Sequence, residues 1–150
     1  MFIDSHCHLD FDDFSNNLDE ILINMKNAKV NQALCISVDI PGFKNVLSLA
    51  THYEDLYASV GVHPDYEDTI EPSIDWLVEQ AQNPKVIAIG ETGLDYYRMN
   101  DRSYESMEWQ RNRFRTHIEA AKSTKKPLII HTRNASKDTI DILRNSQADQ

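Results

Sequence analysis

The sequence predicts an α/β fold in which helices cover a parallel sheet, and three observations lead to this prediction. Short apolar runs alternate along the chain with longer segments of helical periodicity, giving about five βα units. The apolar runs are nearly continuous, which is typical of strands buried on both faces. No glycine-rich phosphate-binding loop follows any of them, so the signature of dinucleotide-binding and P-loop folds is missing.

Five segments carry the strand pattern. The first is apolar at its start and ends in two histidines, His6 and His8. Pro64 closes the third segment, because proline lacks the amide donor that a central strand needs. Pro127 introduces the fifth. These features predict strands at 2–8, 33–38, 56–63, 86–90 and 128–131.

A helical segment follows each predicted strand. Its apolar residues lie three and four positions apart, the spacing that forms one face of a helix. Pro72 and Ser73 are start signals for the third helix, and Ser136 is the expected cap of the fifth. The five apolar faces begin at Leu18, Val46, Ile74, Phe114 and Ala135.

Composition limits the class of protein. At 150 residues the chain is long enough for one domain, 1–150, and 41% apolar with 26% charged residues favours a folded chain. The net charge of −9 argues against a broadly basic nucleic-acid-binding surface, although bound divalent cations can still attract a phosphate. Without a membrane span or signal segment, a soluble cytoplasmic protein with reduced Cys7 and Cys35 is expected, and no protein partner is inferred.

The number of units points to part of a larger architecture. A closed barrel of eight βα units takes about 250 residues. Five units would form an open arc of such a barrel, with two exposed parallel edges. We therefore expect residues 1–150 to be the N-terminal part of a TIM-type (β/α)8 barrel, truncated relative to the complete fold.

Metal-ligand residues follow the predicted strands, where parallel α/β proteins place their sites. His6 and His8 point to the same side of a strand, with Cα atoms roughly 6.5–7 Å apart, so both imidazoles can bind one ion. Glu91 ends the fourth strand, and a carboxylate can bridge two ions about 3.5–4 Å apart. His131 ends the fifth. The pattern predicts a site for two divalent cations, with Mg²⁺, Mn²⁺ and Zn²⁺ as candidates.

Three more residues at the same rim are candidates for substrate binding or catalysis. His63, which ends the third strand, can orient substrate or water or transfer a proton. Arg133 can hold a phosphate oxygen through its forked donors. Asp95 either contacts the substrate or caps a turn. By contrast, His117 on the apolar face of a helix and His52 near a helix end are interpreted as structural.

Four segments contain the candidate site residues: MFIDSHCHLD (1–10), GVHPD (61–65), AIGETGLDYY (88–97) and PLIIHTR (127–133). In these segments the chain resembles the TatD family of metal-dependent deoxyribonucleases, a family of amidohydrolase-like barrels. The resemblance implies a (β/α)8 barrel and a Mg-, Mn- or Zn-dependent nuclease, often a 3′-to-5′ exonuclease. It implies that His6 and His8 bind one metal, Glu91 bridges, and His131 binds the second, with His63 as a catalytic or substrate-contacting histidine. The family pattern adds a histidine after strand six and an aspartate after strand eight, which have no counterpart in residues 1–150.

Three functions remain open on the sequence alone. The leading one is hydrolysis of DNA phosphodiester bonds, in which a metal-activated hydroxide attacks phosphorus. The second keeps the metal site but acts on ester, amide or aminoacyl-tRNA bonds, because barrel rims support many chemistries. The third is a non-catalytic fragment or binding module, since the last ligands of the family pattern are absent.

Overall fold

The computed structural model describes residues 1–97 and 102–148. Strands and helices alternate along the chain. The strands are β1 (Phe2–Cys7), β2 (Val30–Cys35), β3 (Leu56–Val60), β4 (Val86–Asp95) and β5 (Leu128–Arg133). The helices are α1 (Asp12–Ser15), α2 (Leu18–Asn27), α3 (Ile40–His52), α4 (Ile74–Gln80), α5 (Glu108–Thr124) and α6 (Ser136–Asn145), with a 3-10 turn at Glu105–Met107 before α5.

The five strands form one parallel sheet in the order β1-β2-β3-β4-β5. Each strand pairs with the next one along the chain, as in a (β/α)8 barrel. A doubly wound sheet would instead reverse its strand order near the middle. The prediction of a barrel-type α/β fold is therefore confirmed, with five strands where a complete barrel wall has eight.

Strand β4 is longer than its apolar run predicts, and the additional residues contribute to the site. The apolar run suggests an end at Gly90, whereas β4 continues to Asp95. The added residues pair with β5, with Thr92 opposite Ile130 and Asp95 opposite Arg133. Because the extension contains polar residues and two glycines, hydropathy alone does not mark it as a strand.

Helix starts follow the capping rules in two cases. Asp39 accepts a hydrogen bond from the Gly42 amide (2.6 Å) at the start of α3, and Ser73 accepts one from the Trp76 amide (3.1 Å) at the start of α4. The prediction for Ser136 is wrong: it is the first residue of α6 and caps nothing. No helix within residues 1–97 and 102–148 is both long and apolar enough to cross a membrane.

The main core lies between the sheet and the helices α2 to α5, which follow β1 to β4. Its fully buried members come from strands and helix faces alike, and Cys7 packs against it. Cys7 and Cys35 stand opposite each other on β1 and β2 as free thiols, with their sulfur atoms 3.9 Å apart. The expectation of reduced cysteines agrees with this arrangement.

Candidate metal centre

The carboxylate of Glu91 on β4 lies at the centre of a group of histidines from the ends of three other strands, β1, β3 and β5. Its Oε2 is 3.3 Å from His6 Nε2, and its Oε1 is 3.4 Å from His131 Nδ1 and 3.9 Å from His63 Nε2. Glu91 is only 8% exposed, so these imidazoles surround a nearly buried acid. The structure thus brings together residues that are up to 125 positions apart in the sequence.

Glu91 belongs to two sets of ligand-type residues. One set is His6, His8 and Glu91, and the other is His63, Glu91 and His131, with ligand atoms within 4.8 Å of one another in each. Moreover, His8 Nδ1 is buried and has no hydrogen-bond partner among the described residues. A buried imidazole nitrogen without a partner is costly unless a ligand satisfies it. Imidazoles around a shared carboxylate therefore fit divalent cations of the Zn²⁺ or Mn²⁺ type.

Close backbone approaches put Glu91 in this position. Gly90 and Gly93 flank it with φ of +136° and +133°, a region that side chains disfavour. A Cβ on Gly93 would lie 2.0 Å from the His131 carbonyl oxygen, and a Cβ on Gly61 would lie 2.5 Å from Gly90 Cα. The glycines let β4 approach its neighbours closely enough for the ligands to converge.

Asp95 lies behind His131 and fixes which of its nitrogens faces the site. Asp95 Oδ2 is 2.8 Å from His131 Nε2, and Oδ1 accepts a hydrogen bond from the Tyr97 amide at 3.0 Å. The carboxylate, in a residue only 4% exposed, therefore has both oxygens engaged by the protein. Because Nε2 donates to Asp95, His131 presents the Nδ1 lone pair to Glu91, as a metal ligand requires. This geometry favours a role in positioning His131 over the substrate contact predicted for Asp95.

His63 presents an N–H donor to the site, whereas His131 presents a lone pair. Its Nδ1 accepts a hydrogen bond from the Asp65 amide at 3.1 Å, so in the neutral ring the proton is on Nε2. That nitrogen points into the site, 3.2 Å from His131 Nδ1. Burial lowers the pKa of His63, and the charge of Glu91 partly opposes this shift. His63 thus offers an N–H donor, which suits contact with a substrate oxygen better than ligation of a cation.

Two polar side chains of α5 hold the backbone that carries these groups. The Gln110 amide accepts from the Asp95 N–H (2.9 Å) and donates to the Asp95 carbonyl (3.0 Å). Arg113 donates from Nη1 to the His63 carbonyl at 2.8 Å, and it also binds Glu71 with two nitrogens, at 2.9 Å and 2.5 Å. Gln110 and Arg113 are each only 2% exposed. The helix therefore braces the ends of two strands at the site.

His117, one helical turn further along the same face, completes this brace. Its Nε2 accepts from the Val62 amide at 3.0 Å, and its Nδ1 donates to the Arg113 carbonyl at 2.8 Å. These two bonds require a neutral ring. Burial, together with the positive charge of Arg113, lowers the pKa of His117 to about 4. The histidine is structural, as the sequence analysis expects, and it supports the residue before His63.

The neutral state of His117 predicts a specific loss of stability in acid. An unfolded His117 binds a proton below its ordinary pKa of about 6.5, whereas the folded one does so only near 4. The stabilisation is complete above pH 6.5 and is lost as the pH falls towards 4, amounting to about 3 kcal/mol.

Urea unfolding of the metal-free protein, above pH 6.5 and again near pH 4, measures this loss of stability. The wild type should lose about 3 kcal/mol more than His117→Gln does, while His52→Gln, at an exposed site, should behave as the wild type. Equal losses in all three proteins would contradict this account.

Gln110 and Arg113 are not among the site residues predicted from the sequence. Polar side chains on a helix usually face solvent, so their residue type alone does not predict a place at the site. However, a signal was available: 110, 113 and 117 lie on the same helical face as the apolar Phe114 and Ile118. A polar residue inside an apolar stripe must bind a partner in the interior.

Arg133 lies at the outer edge of the site. It is exposed, and its guanidinium carbon lies 3.5 Å from the centre of the Tyr97 ring. The guanidinium of Arg133 has no hydrogen bond or ion pair with the part of the chain that the structure describes. Its N–H donors are therefore free for a ligand.

The chain is similar to a known protein family and to bacterial proteins. The model of the TatD related DNase family matches residues 3–150. A metal-dependent hydrolase of Buchnera aphidicola is 40% identical, covering 99% of this chain and 56% of that protein. The Bacillus subtilis hydrolase YabD is 34% identical, covering 99% and 57%. The chain thus spans somewhat more than half the length of these relatives.

A solved structure supports the same assignment. The crystal structure of YjjV, a TatD homologue from Escherichia coli, matches with a TM-score of 0.86 and 30% identity. The match covers 98% of this chain and 56% of that one. Family model, relatives and fold all agree with the resemblance seen in the sequence. The chain belongs to the TatD family of metal-dependent hydrolases.

Proposed function

We propose that the protein hydrolyses phosphodiester bonds of DNA, removing nucleotides from strand ends with the help of two divalent cations. The observation that carries this proposal is the shared carboxylate of Glu91, with the His6/His8 pair on one side and His131 on the other. Two cations held about 3.5–4 Å apart are a recurrent device for phosphoryl transfer in nucleases and phosphatases. The description of the matching family as DNases points to the same substrate.

His6, His8 and Glu91 would hold one cation, and Glu91 with His131 would hold the other. When bound, the cations would activate a water as the nucleophile and neutralise charge on the phosphoryl group. Asp95 keeps the His131 ring in the orientation and tautomer that this role needs, since its carboxylate accepts from His131 Nε2. The protein thereby presents lone pairs, not N–H groups, to the second cation.

His63 and Arg133 would act on the substrate. The N–H of His63 is the one imidazole donor that the hydrogen-bond pattern directs into the site, and it would bind a phosphoryl or leaving oxygen. Arg133, with its donors free, would bind a phosphate oxygen nearby. These contacts would orient the phosphodiester between the two sets of candidate metal ligands. Such orientation lowers the entropic part of the activation barrier for hydrolysis.

The test is a cleavage assay on single-stranded oligonucleotides labelled at the 5′ or the 3′ end. We expect nucleotides to be released in the presence of Mn²⁺ or Mg²⁺, and release to stop when EDTA is added. The 5′-labelled substrate should give a ladder of shortened products if digestion proceeds from the 3′ end, the direction that the family resemblance implies.

Carboxyl esters and an aminoacyl-tRNA belong in the same assay. If those substrates are hydrolysed while the oligonucleotides remain uncleaved, the nuclease proposal is wrong. The assignment as a metal-dependent hydrolase would still hold. Failure to bind metal and to cleave any substrate would support a non-catalytic role.

A further inference from the structure

Arg113 places a full positive charge in the interior, on the helix that packs against β4. Its side chain is only 1% exposed, and its guanidinium carbon lies 4.8 Å from the centre of the Trp109 ring. Its carboxylate partner Glu71 is half exposed. Removing an arginine from water costs free energy that such an ion pair offsets only in part, and an apolar side chain of similar size avoids this cost. Packing alone therefore does not explain an arginine at this position.

The guanidinium joins two points of the segment 61–73, which connects β3 to α4. Near the start of this segment, Nη1 donates to the His63 carbonyl at 2.8 Å. Near its end, Nε and Nη2 donate to the two carboxylate oxygens of Glu71, at 2.9 Å and 2.5 Å. Arg113 thus fastens both ends of residues 63–71 to α5.

The orientation of the His63 imidazole depends on the same short stretch of chain. Its Nδ1 accepts from the amide of Asp65, which leaves the proton on Nε2, the nitrogen that lies 3.9 Å from Glu91 Oε1. Within this turn the His63 carbonyl also accepts from the Tyr66 amide, but at 3.3 Å, which is long for such a bond. The bond from Arg113 to the same carbonyl is shorter, at 2.8 Å. Without Arg113, the turn that aligns the Asp65 amide with the imidazole would be held less firmly.

We propose that Arg113 is a positioning residue for hydrolysis. Its bonds to the His63 carbonyl and to Glu71 hold residues 63–71 so that the N–H of His63 stays directed into the metal centre. This inference rests on the proposed function, which gives that N–H a contact with the phosphoryl or leaving oxygen. It adds that the rate of the chemical step depends on a buried ion pair outside the site. Because Arg113 holds His63 and none of the candidate metal ligands, its loss should lower kcat and leave metal affinity unchanged.

Nitrogen-15 NMR of the metal-free protein shows directly which nitrogen of His63 carries the proton. At about pH 8, where a histidine is neutral, the wild type should give the pattern of a single tautomer with the proton on Nε2. Arg113→Met should give a mixture of both tautomers, and Arg113→Lys should remain closer to the wild type because its ammonium keeps one of the bonds. Arg115→Met removes an exposed arginine from the same helix and is the matched control. An unchanged His63 tautomer in Arg113→Met would overturn the proposal.

Kinetics separate a positioning role from a purely structural one. With bis(p-nitrophenyl) phosphate and Mn²⁺, Arg113→Met should lower kcat by about 10- to 100-fold and change KM by less than about twofold. In a His63→Ala background the same substitution should have no further effect, because Arg113 acts through His63. Glu71→Gln should lower kcat by a smaller factor. Glu67→Gln, which breaks an exposed ion pair with Arg102 in the same segment, should leave kcat unchanged.

Two kinetic results would show that the positioning role is wrong. One is a double variant in which the losses of Arg113→Met and His63→Ala add, and the other is an equal loss of kcat in Arg115→Met. The wild type alone tests the proposed function, since absence of hydrolysis of any phosphodiester overturns that function. In that case the NMR comparison still decides whether Arg113 positions His63. An active wild type with an equally active Arg113→Met overturns only the positioning role.

Discussion

Replacing Glu91 by glutamine is expected to remove metal binding and hydrolysis together, each by at least about 100-fold. The amide keeps the size of the side chain but loses the negative charge and one of the two acceptor oxygens that face opposite histidine sets. Since the carboxylate belongs to both candidate ligand groups, neither set remains complete. Titration calorimetry with Mn²⁺ measures the first effect, and oligonucleotide cleavage measures the second.

Two further variants show whether the loss is specific. Glu119→Gln removes the same charge from an exposed position on α5, and it should bind metal as the wild type does. Asp95→Asn should weaken metal binding by about 10- to 100-fold, because it acts only through His131. Metal affinity in Glu91→Gln equal to that of the wild type would show that the carboxylate is not a ligand.

The second large effect is expected for Gly93→Ala, which should lower the free energy of unfolding by about 3 kcal/mol or more. The new methyl group would lie 2.0 Å from the His131 carbonyl oxygen, and the backbone has a φ of +133° that alanine disfavours. Relief of the clash has to move β4 away from β5, which also displaces His131. Urea denaturation gives the stability, and metal titration gives the effect on the site.

Gly42→Ala provides the matched control for this substitution. The nearest atom to its added methyl would be the Asp39 Oδ1, 2.8 Å away, the oxygen that caps α3. A shift of this side chain weakens the cap, and the preference of a helix for alanine over glycine offsets that loss. Its change in stability should stay below about 1 kcal/mol. A loss for Gly93→Ala no larger than that for Gly42→Ala would contradict the close approach of the two strands.

Much of the fold was predictable because the strands are buried on both faces. Such strands appear as continuous apolar runs, and all five were located, although their ends shifted by several residues. The predicted and observed elements differ where the local sequence pattern does not reflect the tertiary contacts. The second half of β4 is polar because it serves the site, and Ser136 resembles a cap without acting as one. Hydropathy cannot indicate a strand whose pairing depends on glycines and backbone approach.

The composition of the site was easier to predict than the role of each residue. Strand ends in parallel α/β folds converge on one rim, so the grouping of Glu91 with His6, His8, His63 and His131 follows from topology. The roles depend on which hydrogen bond each imidazole makes behind the site. His131 has a carboxylate there and His63 has a backbone amide, and no sequence pattern distinguishes these partners.

The central claim is that Glu91 lies between two cations, and anomalous diffraction from crystals soaked in Mn²⁺ tests it most directly. We predict two anomalous peaks about 3.5–4 Å apart, each in contact with one oxygen of Glu91. One peak should also contact His6 and His8, and the other should contact His131. No peak beside Glu91, or metal bound only elsewhere, would contradict the account.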